Sequence, residues 1–402
     1  MNLKDAQIIR LFESYDSYYL ADIEKLKMNL KKFKRAFQSY YTKIDIGFSV
    51  KTNYLPAFCK AVLEEGYKAE VVSGMEYDLV SEIGFKGSDV IFNGPAKSSD
   101  AIRKAIVNDS LIQVDSIGEL KYIQSFCEEN QKQIKLGLRL NLSVVESRFG
   151  ISKNEINEAL TVITESQFLN LTTLHCHQMP AFKSSKGYNE LAKEMLEVYD
   201  EVSQNGFDIQ TLNMGGGFAS PMPQVLIEQL NFTPPTFDDY AKAIAGEIAN
   251  YFSETTFRPT LILEPGLAVL SDTLKFYSKV KHIKLTNSSY SAIVSGSIYN
   301  IKPTKNKLNL PIRIIENPAV DSRQSIECTI SGSTCMEDDI MHRNVQINVA
   351  VGDVIEFSNV GSYTLVLYPP FITPLCAVLD SSSFEELKSP SNFKSVFTDY
   401  KL

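Results

Sequence analysis

The chain has 402 residues, 44% hydrophobic and 22% charged, the composition of a globular protein with material for two domains, since single cores stop growing near ~250–300 residues. A net charge of −8 argues against a general nucleic-acid or anionic-membrane role. Six irregularly spaced cysteines without a CxxC pair suggest neither a disulfide framework nor a metal site, and no apolar run resembles a signal peptide or a bilayer span, so a reducing cytoplasm is expected.

In chain order, Asp16–Leu20 reads as a strand and Ile23–Phe37 as a helix. Strand-like apolar runs then recur at Ile44–Val50, Ala69–Val72, Val90–Phe92, Leu111–Val114, Ile134–Leu142, Leu171–His177, Thr211–Met214 and Thr260–Leu263. Helical patterns separate them, at Leu55–Glu65, Met75–Ile83, Asp100–Val107, Ile117–Glu129, Glu155–Glu165, Asn189–Ser203 and Phe237–Phe252. Eight strands alternating with helices predict a parallel (β/α)8 barrel over residues 24–272. After about Asp272 the rhythm changes to short alternating segments, among them Lys275–Lys284, Leu310–Ile315, Ser325–Ser331 and Val354–Phe357. Residues 1–23 and 273–402 are therefore expected to form a mostly antiparallel β domain, with one helix at Ser383–Leu387.

The first barrel strand alternates. Ile44, Ile46, Phe48 and Val50 share one face, and Asp45, Gly47, Ser49 and Lys51 the other. Lys51 closes it at the C-terminal end, where such barrels carry their active sites and where partial desolvation makes an amine a usable nucleophile. Three further elements fall at strand ends: His175-Cys-His177, Gly215-Gly-Gly217 and Glu264-Pro-Gly266. Consecutive glycines let backbone N–H groups approach a phosphate. Each element alone is ordinary; a strand-end lysine is usually a solvated charge. Their joint occurrence at one end of a barrel is not.

These residues, with Tyr19-Leu-Ala-Asp22, Phe48-Ser-Val-Lys-Thr-Asn53, Val71-Val-Ser-Gly74 plus Glu76, Asn93-Gly-Pro-Ala-Lys97, Val114-Asp-Ser116, Leu138-Arg-Leu-Asn141, Arg148-Phe-Gly-Ile151, Gly332-Ser-Thr-Cys335 with Asp339 and Gly361-Ser-Tyr363, give the chain its resemblance. It resembles, over nearly its whole length, the fold-type III pyridoxal 5′-phosphate (PLP) decarboxylases: diaminopimelate, ornithine and arginine decarboxylases, related in fold to alanine racemase. The resemblance implies that Lys51 binds the cofactor as a Schiff base. His177 would stack on its ring with Arg139 nearby, and Glu264 would sit at the pyridine nitrogen and keep it protonated. Gly216, Gly217, Gly266 and the Tyr363 hydroxyl would cradle the phosphate. Cys335 and Tyr363 would complete the site across the interface of a homodimer with shared active sites, and Cys335 would return a proton after CO2 departs.

The chain departs from this family at four places. Leu267 follows Glu-Pro-Gly where the family has Arg, and Gln178-Met-Pro180 follows His177 where the family carries a phosphate-binding serine. Met336 replaces an acidic residue that reads a distal substrate amine, with Glu337 and Asp338 adjacent. Lys302-Pro303 replaces an Arg-Pro that contacts a substrate carboxylate, keeping charge but losing bidentate geometry. Lys302, Met336 and Glu337 are thus the candidate substrate residues. The rebuilt pocket argues against meso-diaminopimelate and for another amino acid or an amino-acid conjugate, as in siderophore or antibiotic biosynthesis. Two alternatives stand beside decarboxylation: an amino-acid racemase, against which Glu264 counts, and a non-catalytic regulatory paralogue, against which Lys51, His177, Glu264 and Cys335 together count.

Overall fold

The computed structural model describes residues 3–401. It comprises two compact units: one of Lys27–Pro221 and Phe232–Val269, the other of Met1–Leu26, Met222–Asn231 and Leu270–Leu402.

In the first unit eight parallel strands close on themselves: β1 Ile44–Ser49, β2 Lys68–Val71, β3 Val90–Phe92, β4 Leu111–Val114, β5 Ile134–Asn141, β6 Leu169–His175, β7 Thr211–Asn213 and β8 Thr260–Leu263. They pair in chain order, and β8 returns to β1 with Leu261, Ile262 and Leu263 opposite Ile44, Asp45 and Ile46. This is the expected (β/α)8 barrel. Its helices start where the sequence offers caps. Ser73, Ser98 and Ser116 accept the N–H groups of Glu76, Ala101 and Glu119, satisfying donors that a first turn leaves free. Glu76 and Glu119 reach back to the N–H groups of Val72 and Asp115, locking two strand-to-helix turns at the C-terminal end of the barrel. The last long helix is not uniform: its turns widen to π geometry at Lys242–Gly246.

The interior follows from the alternation in β1. A Cβ added to Gly47 would fall 2.9 Å from the Ile91 side chain and 3.6 Å from that of Glu264, so this strand face points inward and needs a residue without a side chain there. The strand is shorter than its apolar pattern. It ends at Ser49, and Val50–Thr52 forms a single 3-10 turn closed by the Asn53 N–H on the Val50 carbonyl. Lys51 consequently stands on this turn rather than in the strand.

The second unit holds a nine-stranded mixed sheet, mostly antiparallel. Ser17–Ala21 lies at its middle, antiparallel to Leu274–Thr286 and parallel to Ala377–Asp380. Tyr18, Leu20, Tyr277, Val354, Ala377 and Leu379 form a core there with Ile8, from a helix Leu3–Leu11 that the sequence pattern had not suggested. The helix expected at Ser383–Leu387 is absent. Glu386–Lys388 is an edge strand on Ala377–Asp380, because the Asp380 carboxylate accepts the N–H groups of Ser382 and Ser383 and Phe384 turns left-handed at φ 62°. That reverses the chain where a helix would have continued. Among the described residues no helix is long and apolar enough to cross a membrane.

Candidate active site

Every barrel strand delivers a polar side chain to the C-terminal end: Lys51, Glu70, Asn93, Asp115, Arg139, His175 with His177, Asn213 and Glu264, in order from β1 to β8. The arrangement centres on two buried carboxylates. Glu70 accepts from both sides of the Lys51 turn: Lys51 Nζ lies 2.8 and 2.5 Å from its two oxygens, and the Ser49 hydroxyl 2.5 Å from Oε2. Glu264 accepts Asn213 Nδ2 at 2.7 Å and Asn93 Nδ2 at 2.9 Å on Oε1. Its Oε2 faces His177 Nδ1 at 3.2 Å and His175 Nε2 at 3.6 Å. Asn93 also donates to Glu70, at 3.0 Å, and so ties the two carboxylates together.

Burial alone would raise the Glu264 carboxyl, but the two imidazoles beside it hold it well below the usual carboxylate range. Burial pushes the His175 imidazole down, which keeps it neutral. The result is a desolvated anion held in a barrel mouth by two side-chain amides and flanked by two imidazoles, with a lysine amine one carboxylate away. Arg139 stands beside it, paired with Asp115 at 2.8 Å and donating to the His177 carbonyl at 3.4 Å. The backbone after β8 packs on the Lys51 turn: Ser49 N–H donates to the Pro265 carbonyl, and a Cβ at Gly266 would lie 2.1 Å from Thr52 Oγ1. That close approach explains why Glu264-Pro-Gly266 and Lys51 belong together. His175, His177 and Glu264 also bring ligand atoms within 4.8 Å of one another, a spacing a divalent cation could use.

The glycine run after β7 is organised for a different task. The carbonyls of Gly215, Gly216 and Gly217 are bound by the Glu264 N–H, the Tyr188 hydroxyl and Lys183 Nζ. Among the described residues, the N–H groups of Gly216 and Gly217 donate to no protein acceptor. Gly215 and Gly217 have φ of 63° and 90°, so successive amides form the kind of concavity that takes an anion.

Sequence reasoning had named Lys51, Arg139, His177, Gly216, Gly217, Glu264 and Gly266, and the structure gathers them at this one end. It had assigned no role to Glu70, Asn93 or Asn213, which bind Lys51 and Glu264. The signal for Glu70 was a carboxylate inside the apolar run Ala69–Val72. Gln178, in place of the family's pattern after His177, turns away and pins the loop beyond β5 through the carbonyls of Leu142 and Val145.

In the second unit Cys335 is exposed on a loop that Asp339 shapes, accepting the N–H groups of Ile298 and Thr334. Met336 receives the Tyr299 hydroxyl at 3.5 Å, and Glu337 is exposed. Tyr363 is partly exposed, at φ 62°. Lys302 departs from expectation. It is buried, its amine donates to the Leu308 carbonyl at 2.7 Å, and desolvation with Arg343 nearby pushes it down to about 8. It serves its own loop and does not stand ready as a free cation for a substrate carboxylate.

Fold and site define a barrel whose mouth gathers a lysine amine, a buried acid–imidazole cluster and a glycine turn with unbound amides. The chain matches the family described as pyridoxal-dependent decarboxylase, pyridoxal binding domain, over residues 23–271, and its C-terminal sheet domain over residues 196–361. It is 25% identical over 389 residues to diaminopimelate decarboxylase of Archaeoglobus fulgidus, covering 93% of this chain and 89% of that one. With the L-glutamyl-[BtrI acyl-carrier protein] decarboxylase of Niallia circulans it shares 22% identity, over 96% of this chain and 94% of that one. The crystal structure of diaminopimelate decarboxylase from M. jannaschii has the same fold, with a TM-score of 0.88 at 21% identity over 98% of this chain and 94% of that one. The chain belongs to the pyridoxal-dependent decarboxylases. It is a lyase whose cofactor is PLP, and the residues of the barrel mouth fit that group: an amine for its aldehyde, a buried anion for its ring nitrogen and free amides for its phosphate.

Proposed function

We propose that this enzyme decarboxylates an amino acid other than meso-diaminopimelate, or an amino acid carried as a conjugate, and that it works as a homodimer with shared sites. The observation that carries the reading is Glu264, a buried carboxylate kept ionised by its neighbours. When bound, PLP supplies an aldehyde for an amine and a ring that draws electrons from the bond to be broken. Lys51, His177, Arg139, Glu264 and the amides of Gly216, Gly217 and Gly266 would hold it, with the Tyr363 hydroxyl contributed by the second subunit.

The protein's own part is electrostatic and positional. Glu264 would keep a proton on the ring nitrogen of bound PLP, and a protonated ring supplies the full electron withdrawal that favours loss of CO2 over racemisation. Glu70 orients Lys51 and can exchange a proton with its amine, which lies 2.5 Å away. Cys335 Sγ, from the second subunit, gives a proton to the carbon that CO2 has left. Leu267 offers no cation, Met336 no carboxylate, and Lys302 is buried with its amine on the Leu308 carbonyl. A substrate with a distal charged amine and carboxylate would find fewer partners, whereas a conjugated amino acid needs neither. The likeness to an enzyme named for a glutamyl carrier-protein substrate supports the second class.

The test is CO2 release by the PLP-loaded enzyme. Lysine, ornithine, arginine, meso-diaminopimelate, glutamate, 2,3-diaminopropionate, citryl or acyl conjugates and glutamyl carrier protein form the panel, with Lys51→Ala as control. Lysine-dependent release from one compound establishes the substrate class; release from meso-diaminopimelate at a rate matching the others overturns the exclusion. Mixing Lys51→Ala with Cys335→Ala subunits should restore activity through one intact hybrid site. No recovery after verified subunit exchange would count against the shared site.

A further inference from the structure

The segment after His177 carries a lysine that the functional reading has not used. Ala181–Lys183 makes one tight turn in which two consecutive non-glycine residues, Phe182 and Lys183, both have φ of 53°. L-residues rarely adopt this conformation, and rarely in succession. The turn is held from three sides: Lys183 N–H donates to the Pro180 carbonyl, the Lys183 carbonyl accepts the Tyr240 hydroxyl at 2.9 Å, and Pro180 lies so close to Gly187 that a Cβ there would fall 2.4 Å from it. Its effect is to send the Lys183 side chain back to the glycine run. Nζ lies 2.6 Å from the Gly217 carbonyl and 3.0 Å from Met179 Sδ.

Both contacts are uncharged. Among the described residues no carboxylate lies within ion-pairing distance of Lys183, whereas Lys51 and Lys97 in the same barrel mouth each have a carboxylate partner. Desolvation pushes its amine down with nothing to oppose it. A half-buried ammonium without an anion is unfavourable unless an anion arrives. The neighbouring feature is a pair of unused glycine amides shaped for one.

We propose that Lys183 is a phosphate-recognition residue of the cofactor site, its ammonium supplying the cationic contact beside the Gly216–Gly217 amides. The Gly217 carbonyl and Met179 occupy two of its three hydrogens, and the third is free for a phosphate oxygen. This rests on the reading of the glycine run as the phosphate cradle. It goes beyond it in naming a charged side chain that nothing in the motif pattern suggests.

The experiment compares two ligands that differ only in the phosphate. Apo full-length enzyme is titrated with PLP and with pyridoxal, followed by absorbance of the bound cofactor, for the native chain, Lys183→Met, Lys183→Gln and Lys183→Arg. Loss of a charge-assisted contact should weaken PLP roughly ten- to hundredfold. Pyridoxal binding should stay within about twofold, and Lys183→Arg should keep most PLP affinity. Lys183→Gln is informative because it can still hold the Gly217 carbonyl; it should lose PLP as Lys183→Met does. Equal weakening of both ligands, or full PLP affinity in Lys183→Gln, would make Lys183 a loop tether and overturn the proposal. A native enzyme that binds PLP no better than pyridoxal would overturn the cradle itself, a result distinguishable from failure at Lys183 alone.

Discussion

The two ends of the barrel differ in kind. Among the strand starts, at the N-terminal end, a cavity of about 860 Å³ is lined by Asp45, Lys68, Asp109, Lys135 and Thr211. Its charges are solvated or answered at the rim, Lys132 by Asp109 at 2.7 Å and Lys68 by Asp89 at 3.8 Å. At the C-terminal end the polar groups are buried and converge. Glu264 is 1% exposed and meets four side-chain neighbours, and the amine of Lys51 shares Glu70 with Ser49 and Asn93. Space alone does not make a site; desolvated groups aimed at one point do, because only there are charges strong enough to alter a reaction.

The sharpest way to break this contrast is to neutralise one residue at each end. Glu264→Gln keeps the volume and the Asn213 contact but removes the anion. It should lower kcat by about 10²–10³, the scale of losing one preorganised electrostatic group. Lys135→Gln, in the rim of the other cavity, should leave kcat within about twofold. Steady-state CO2 release measures both. Equal losses would dissolve the distinction between the ends.

The same contrast governs what the sequence could reveal. Lys51, His177, Glu264 and the glycine run were readable because each follows a strand and the barrel brings all strand ends together. Glu70, Asn93 and Asn213 were not assigned, because their roles depend on pairings that span 19 to 171 positions. Lys302 is the opposite case: its charge is visible in the sequence and its burial is not. The strand at Glu386–Lys388 was hidden by Phe384, whose left-handed backbone no residue type announces. In each case the missing information is tertiary.

A smaller effect separates buried from exposed ion pairs. Lys97 has a fully buried side chain and donates to Glu119 at 2.7 Å and to the carbonyls of Gly94 and Gln113 at 2.8 Å. Burial lowers its amine and raises the Glu119 carboxyl, while each partner opposes that change in the other. Lys97→Met would leave Glu119 without its cation and should destabilise the barrel by about 3–5 kcal/mol. Lys68→Met, at the other end, should cost below about 1 kcal/mol. Denaturant unfolding followed by circular dichroism distinguishes them; comparable costs would mean that the Lys97 pair is effectively solvated.

The smallest expected effect lies in the pH dependence of stability, and its sign follows from two buried groups. The folded Glu264 carboxyl titrates below its ordinary 4.5. Its contribution is fully present above that value and is lost as pH falls toward the folded value, since the unfolded chain then takes up a proton first. The His175 imidazole also titrates below its ordinary 6.5. The unfolded chain again binds the extra proton, so stability declines as pH falls through 6.5. Both groups therefore make stability rise with pH, His175 in the upper window and Glu264 in the lower. Glu264→Gln should flatten the lower limb, below about 4.5, relative to the native chain. A native profile with no decline below 6.5, or an unchanged lower limb in Glu264→Gln, would mean that the acid–imidazole cluster is not held in its charge state by burial, and the contrast between the two barrel ends would lose its electrostatic basis.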